Sequence, residues 1–380
     1  MVIDHVRKLD EGRAWIEIDL GALAHNVAAL RSHLPVGCRL MAVVKADAYG
    51  HGMERVAARL RQDGIDSFAV ATVAEGVQLR KSMREGKILV LGYTAPKDAG
   101  LLKEHNLSQL VVDGAYARAL CAVNHDICVH IAIDTGMHRL GIEASDLAEI
   151  EMVFGFDNLI VEGVATHLAS PDSLDACDVE FTNLQAARFF SVVEALNNKG
   201  YNTGALHVQA SYGIYNFPDM KCDYARAGIA LYGVMSQDAG ISVPTGLKPV
   251  LSLRAQVAQV RWIGSGESVS YGRTFTTDKP MKLATVSIGY ADGIPRNMSG
   301  NGGKCIVHGK KAPVVGRICM DLLMIDATGI DDIKQGDVAT LIGRDGGEEM
   351  RCEDVAAACG TITNEILCRM GSRLPRVYFD

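Results

Sequence analysis

Arg39–Gln62 reads RLMAVVKADAYGHGMERVAARLRQ. Arg39–Val44 is a short apolar run of the kind that makes a buried strand, Lys45–Gly52 is a loop closed by glycines, and the remainder is an amphipathic helical stretch. Seven further apolar runs follow, at Ser67–Ala71, Lys87–Leu91, Ser108–Val112, Ile127–Ile133, Leu159–Thr166, Ala205–Gln209 and Gly228–Tyr232. Segments with helical periodicity separate most of them, among them Glu75–Lys81, Ala115–Ala122 and Phe181–Asn198, the last stopped by Gly200. Strands that alternate with helices imply a parallel sheet, and eight such units predict an α/β fold of the (β/α)8 TIM-like barrel type. An open doubly wound sheet is the rival. It usually carries a glycine fingerprint after its first strand, and none is present.

The pattern changes at Val243–Val250, where Pro244, Gly246 and Pro249 interrupt it. Beyond lie alternating or apolar strands at Leu251–Val257, Lys282–Tyr290, Lys304–His308, Ala312–Val315, Leu322–Asp326 and Asp337–Ile342. Gly300–Gly303 and Gly346–Gly347 punctuate them, and one helix is expected over Cys352–Arg369. Trp15–Leu20 alternates as a strand before the barrel and could pair with either domain; it is assigned to the β-rich one. The expected division is therefore residues 1–20 as a strand joining a β-rich domain, 21–245 as the barrel, and 246–380 as that β-rich C-terminal domain.

Composition narrows the function. Of 380 residues, 48% are hydrophobic and 22% charged, and Lys+Arg 38 against Asp+Glu 45 gives a net charge of −7. A nucleic-acid binder needs a basic surface, and no block of Lys and Arg appears. No apolar run approaches the ~18 residues that span a bilayer. Met1–Trp15 is charged and has no apolar h-region, so neither a leader nor an anchor is expected there. The ten Cys include no C-x-x-C pair, which argues against a disulfide scaffold or a structural zinc site. A cytoplasmic protein with reduced thiols is expected. P-loop, dinucleotide, nucleophile-elbow and H-E-x-x-H patterns are all absent.

In a parallel barrel, functional groups sit past the strand C-termini. Lys45 follows the first strand at once. There its ammonium would be costly to desolvate, which lowers the pKa and suits Schiff-base chemistry; a structural lysine paired with a carboxylate is the other reading. Tyr49 and His51 share its loop. Arg139, in Asp134–Gly141 after the fifth strand, could clamp a carboxylate or pair with a neighbouring acid. His167 ends the sixth strand, where a histidine is most often a satisfied core or rim residue. Arg226-Ala-Gly-Ile229 offers backbone amides beside glycine that can hold a phosphate, a weak signal alone.

Together these residues resemble those of the alanine racemases, the barrel-type pyridoxal 5'-phosphate (PLP) enzymes. The likeness runs through Val44–Gly52, Asp134–Gly141, Ala225–Gly233, Ser270–Gly272, Ile288–Arg296 (IGYADGIPR), Gly316–Asp321 (GRICMD) and Ser372–Arg376. Agreement at seven motifs in order is highly specific. The resemblance implies that Lys45 binds PLP covalently and acts as one base, while Tyr271 acts as the other from the partner subunit of a head-to-tail homodimer. It implies that His167 orders Arg226 and Tyr271, and that Arg226 faces the pyridine nitrogen. Tyr49, Ser211, Gly228 and Ile229 would contact phosphate. Arg139 and the Met320 amide would lie near the substrate carboxylate, and Tyr290 at the entrance.

Three departures matter. The position that carries a supporting, carbamylated lysine in many relatives is Ala132. The phosphate loop reads Ala210-Ser211 where many members have Asn-Ser. Asn364 stands where typical members have a tyrosine that contacts phosphate and lines the side-chain pocket. Asparagine there resembles the membrane-bound serine/alanine racemases of vancomycin resistance, of which this chain would be a soluble relative or the catalytic part. An amide could hydrogen-bond a hydroxymethyl group, so the expected activity is racemisation of serine and alanine. The alternatives are an alanine racemase with little serine activity and a non-catalytic PLP-binding protein.

Overall fold

The computed structural model describes residues 12–235 and 240–380. The expectation for Met1–Trp15 therefore lies mostly outside the described residues. Eight parallel strands stand in the order Tyr224–Ala227, Arg39–Val43, Ser67–Val70, Lys87–Val90, Ser108–Val111, Ile127–Asp134, Leu159–Ala165 and Ala205–His207. A parallel bridge between Ala210 and Arg226 joins the two ends of this row, with Arg226 N donating to Gln209 O at 2.9 Å. The row is a nearly closed barrel. Its strands are buried on both faces, which explains why they read as continuous apolar runs.

Helices cover the outside. Met53–Gln62 places Met53, Val56, Ala57 and Leu60 inward. Val73–Ser82 begins with a capping box, in which Thr72 Oγ1 and the Glu75 carboxylate satisfy each other's backbone amides. The longest helix, Ala176–Asn198, starts five residues before the periodicity predicts.

A second sheet of nine strands follows, nearly all antiparallel. The long strand Leu251–Ile263 is its axis and pairs with Ala14–Asp19, Met281–Val286 and Val338–Asp345. Ala14–Asp19 pairs on its other edge, in parallel, with Arg376–Phe379. The first strand of the chain thus belongs to the β-rich sheet.

Two expected elements differ. The apolar run Gly228–Tyr232 is not the eighth strand; Ile229–Tyr232 is a short 3-10 turn, and the strand is Tyr224–Ala227 just before it. The run is apolar because the turn is buried, whereas the strand carries the inward-facing Arg226. The helix expected over Cys352–Arg369 is two helices, Cys352–Cys359 and Thr363–Cys368, because Gly360 adopts φ +64 and ends the first.

Candidate active site

The first barrel strand delivers Lys45 to the mouth, where the backbone then turns left-handed. Ala46, Asp47, Ala48 and Tyr49 all have φ between 53° and 55°. Left-handed L-residues cost ~1–2 kcal/mol each, so the surroundings must hold the turn. Glu75 Oε1 accepts from Ala46 N at 2.7 Å, and Asp47 Oδ1 accepts from Met53 N at 2.8 Å. The buried His51 Nδ1 lies 3.0 Å from Ala48 O and 2.9 Å from Tyr49 O. From the second sheet, Arg376 Nε donates to Gly50 O at 3.0 Å and the Tyr378 hydroxyl to His51 O at 3.1 Å. The Lys45 ammonium is held below its ordinary pKa, first by burial and then by the nearby Arg139 cation.

Arg226 is the most constrained side chain of the barrel interior. Nη1 donates to His207 O at 2.7 Å and His207 Nδ1 at 2.9 Å. Nη2 donates to Thr166 O at 2.7 Å, His167 Nδ1 at 3.0 Å and Val208 O at 3.2 Å. A guanidinium only donates, so both histidines must present an unprotonated Nδ1 and carry their proton on Nε2. His207 Nε2 then donates to His130 Nδ1 at 2.9 Å. Burial, reinforced by the Arg226 charge, pushes His167 down to about 3 and His207 well below its usual value. All three histidines are therefore neutral near pH 7. Arg226 itself, drawn down to about 10 by burial, remains charged.

One cavity of about 440 Å³ gathers these groups, a size that suits a small cofactor with its substrate. Lys45, Tyr49, Arg139, His167, Ser211, Arg226, Gly228, Ile229 and Asn364 all line it, as do Ala132 and His207. Ser211 Oγ accepts from the amides of Gly228 and Ala230 at 3.1 and 3.3 Å, which fixes the turn behind it. Gly228 is needed here, since a Cβ on it would stand 2.8 Å from the Tyr49 hydroxyl. That buried hydroxyl has no hydrogen-bond partner among the described residues, and burial keeps it protonated. The Arg139 guanidinium and the Asn364 amide likewise have no polar partner among them; Ala132 offers the arginine none.

Three expected residues lie elsewhere. Tyr271, Tyr290 and Met320 are 69%, 41% and 53% exposed on the second sheet's loops and do not line the cavity. Tyr290 N donates to Cys319 O at 3.0 Å, and Ser270 Oγ to Arg317 O at 2.6 Å, so the three share one face. Two site residues were not anticipated, His207 and His130. A histidine inside an otherwise apolar barrel strand was the available signal.

Residues 18–236 match the model of the alanine racemase N-terminal domain, and residues 250–378 that of the alanine racemase C-terminal domain. The chain belongs to the alanine racemase family. An alanine racemase of Geobacter sp. (strain M21) is 40% identical over 380 residues, covering 97% of this chain and 100% of that one. An amino-acid racemase of Enterococcus faecalis is 42% identical over 96% of this chain and 51% of its own length. A serine/alanine racemase of Enterococcus gallinarum is 39% identical over 95% and 51%. The chain thus spans about half the length of these two enterococcal relatives. The crystal structure of the Bartonella henselae alanine racemase with covalently bound pyridoxal phosphate superposes with a TM-score of 0.85 at 33% identity, covering 97% of this chain and 100% of that one.

The alanine racemase family is PLP-dependent. The residues here fit that group. A desolvated lysine amine, an unpartnered phenol donor on Tyr49, the Ser211 hydroxyl and a Cβ-free Gly228 meet in one cavity.

Proposed function

We propose that the chain is a PLP-dependent amino-acid racemase that interconverts L- and D-serine and L- and D-alanine. Lys45 is one base, and Tyr271 of a second copy in a head-to-tail homodimer is the other. The observation that carries this reading is the cavity that joins Lys45, Arg139, His167, Arg226 and Asn364.

Lys45, Tyr49, Ser211, Arg226, Gly228 and Ile229 would hold the cofactor. When bound, PLP supplies an electron sink for the pair left on Cα after proton removal. The lowered pKa leaves a larger share of the Lys45 amine neutral near pH 7, and only the neutral form can accept a proton. The free Arg139 guanidinium is suited to the substrate carboxylate. Inversion needs a second base on the opposite face of Cα from Lys45. Tyr271 meets that need from a second copy: its exposure, with Tyr290 and Met320 beside it, supports a face that completes another subunit's site. His167 has its Nε2 proton unpartnered among the described residues, available to a phenolic oxygen. Arg226 presents only N–H donors and would leave the cofactor's ring nitrogen without a proton, which would favour proton return over competing outcomes.

Serine activity rests on Asn364, whose amide lines the cavity without a protein partner. The name of the E. gallinarum relative supports it, while the Geobacter relative, matched along its whole length, favours alanine alone. Among the described residues no helix is long and apolar enough to cross a membrane, which is compatible with a cytoplasmic site of action. We also propose the domain division 21–245 and 246–380, with the strand within 1–20 joining the latter.

Chiral chromatography of L-serine and L-alanine, incubated separately with purified protein and PLP, tests the reading. D-serine formed at a rate comparable with D-alanine is the expected result. D-alanine alone would remove the serine assignment. Neither product, from protein that holds PLP, would overturn the racemase reading.

A further inference from the structure

Three motifs that the cavity leaves unused meet around one carboxylate. Asp292 of IGYADGIPR has a completely buried side chain. Arg13, at the start of the first strand, grips it with both ends of its fork: Nη2 to Oδ1 at 2.6 Å and Nη1 to Oδ2 at 3.0 Å. The same Nη1 reaches Ser287 O at 2.6 Å and Asp321 O at 3.3 Å. Gly289 N donates to Asp292 Oδ2 at 2.9 Å. Arg373, of Ser372–Arg376, stands with Nε 3.6 Å from Asp292 Oδ1 and donates through Nη2 to Asp321 Oδ1 at 2.7 Å. Asp321 ends GRICMD and follows Met320 directly.

This cluster supports the loops that carry Tyr271, Tyr290 and Met320. Ala291 N donates to Met320 O at 3.0 Å, beside the Tyr290–Cys319 bond. Gly289 passes so close that a Cβ there would overlap the carbonyls of Cys319 and Met320. Ser270, at φ +66, ties the Tyr271 turn to Arg317 O. A bidentate arginine–carboxylate pair fixes direction as well as distance. Here it fixes a surface, because none of Arg13, Asp292 and Arg373 lines the cavity of its own chain.

We propose that Asp292, clamped by Arg13 and Arg373, is a positioning residue that acts in trans, setting the Tyr271–Tyr290–Met320 face for the site of a second copy. The proposal rests on the shared-site reading above, which the test examines separately. Asp292→Asn keeps the shape and removes the charge. Alone, it should retain the PLP absorbance of the barrel lysine while kcat falls ~10–100-fold, the usual effect of displacing a reacting group by about an ångström. Solvent-deuterium exchange should slow on the Tyr271 face far more than on the Lys45 face.

The decisive measurement uses doubly tagged heterodimers purified after co-expression. A subunit with Lys45→Ala joined to one with Asp292→Asn has one site with both defects and one with neither. It should recover about half the wild-type rate per dimer, as two-fold symmetry requires. The pair Lys45→Ala with Tyr271→Phe tests the shared site itself. Recovery in that pair but not with Asp292→Asn would overturn the proposal and leave the shared site standing. Recovery in neither would overturn both, as would wild-type kinetics of Asp292→Asn alone overturn the proposal. If Asp292→Asn does not fold, Arg373→Gln, whose side chain is half exposed, gives the same readings.

Discussion

Acidification from about pH 7.5 to about pH 5.5 should remove roughly 5 kcal/mol of folding stability, and buried histidines are the reason. Burial is the first cause in every case. It holds His51 and His130 at about 4 and His167 at about 3, and it holds His207 well below its ordinary value, with the Arg226 charge adding to the last two. In the unfolded chain each titrates near ~6.5. Between those values the unfolded state binds more protons, so stability rises with pH there. The contribution is fully present above ~6.5 and is lost as pH falls toward the folded values. One pH unit below ~6.5, each histidine has cost about 1.4 kcal/mol, and the four together about 5–6. That rivals the ~5–15 kcal/mol by which whole domains are stable. Glu162 and Asp134, held below the usual carboxylate range, act only below about pH 4.5 and do not blur the window. Urea denaturation at both pH values, with saturating PLP and a constant m-value, measures the difference. A free energy unchanged within about 1 kcal/mol would mean that these histidines are protonated in the native state, and the hydrogen-bond directions drawn from Arg226 would then be wrong. His51→Gln should lower the slope by about a quarter.

Asn364→Tyr should lower the D-serine to D-alanine rate ratio ~10–100-fold by filling the side-chain end of the cavity, as read by chiral chromatography. Gly228→Ala should fold but lose PLP readily on dialysis, because the new Cβ meets the Tyr49 hydroxyl at 2.8 Å; strain of ~1–3 kcal/mol corresponds to roughly tenfold or more in retention. Ala46→Gly, at an exposed left-handed position with φ 53, should raise the urea midpoint by an amount equivalent to ~0.5–1 kcal/mol, because glycine relieves the αL penalty while losing more chain entropy.

Much of this was legible in the sequence because the barrel strands are buried on both faces and each is short, apolar and glycine- or helix-bounded. Seven of the runs lie on strands for that reason. The eighth was displaced because apolarity marks burial and not strand geometry: Ile229–Tyr232 is a buried turn, while Tyr224–Ala227 carries the charged Arg226. The candidate site divides along the same line. Lys45 and Arg226 could be read from their places at or near strand ends, whereas Asn364 enters the cavity from a helix more than 300 positions after Lys45, a juxtaposition that only the resemblance anticipated. His207 and His130 went unread because their role depends on meeting over Gly163 of the strand between them, which no local spacing encodes. Nor does any pattern announce consecutive left-handed L-residues at Ala46–Tyr49, since tertiary partners from Glu75 and the second sheet impose them.

The pairing of Ala14–Asp19 between Leu251–Ile263 and Arg376–Phe379 also sets an order of assembly. The whole barrel is an insertion between neighbouring strands of the second sheet, and Asp19 N meets Val250 O at 2.9 Å where the insertion closes. Closing an unfolded loop of roughly 230 residues would cost ~5 kcal/mol of chain entropy. A barrel already folded holds its two ends together and removes nearly all of that cost. The first strand therefore joins the second sheet at least entropic cost once the barrel has formed. Residues 246–380 expressed without the opening strand would present the bare edge of Leu251–Ala255 to any extended chain nearby. For recombination between homologous genes, the unit that can be exchanged intact is the barrel, while the second sheet travels only with both of its flanks.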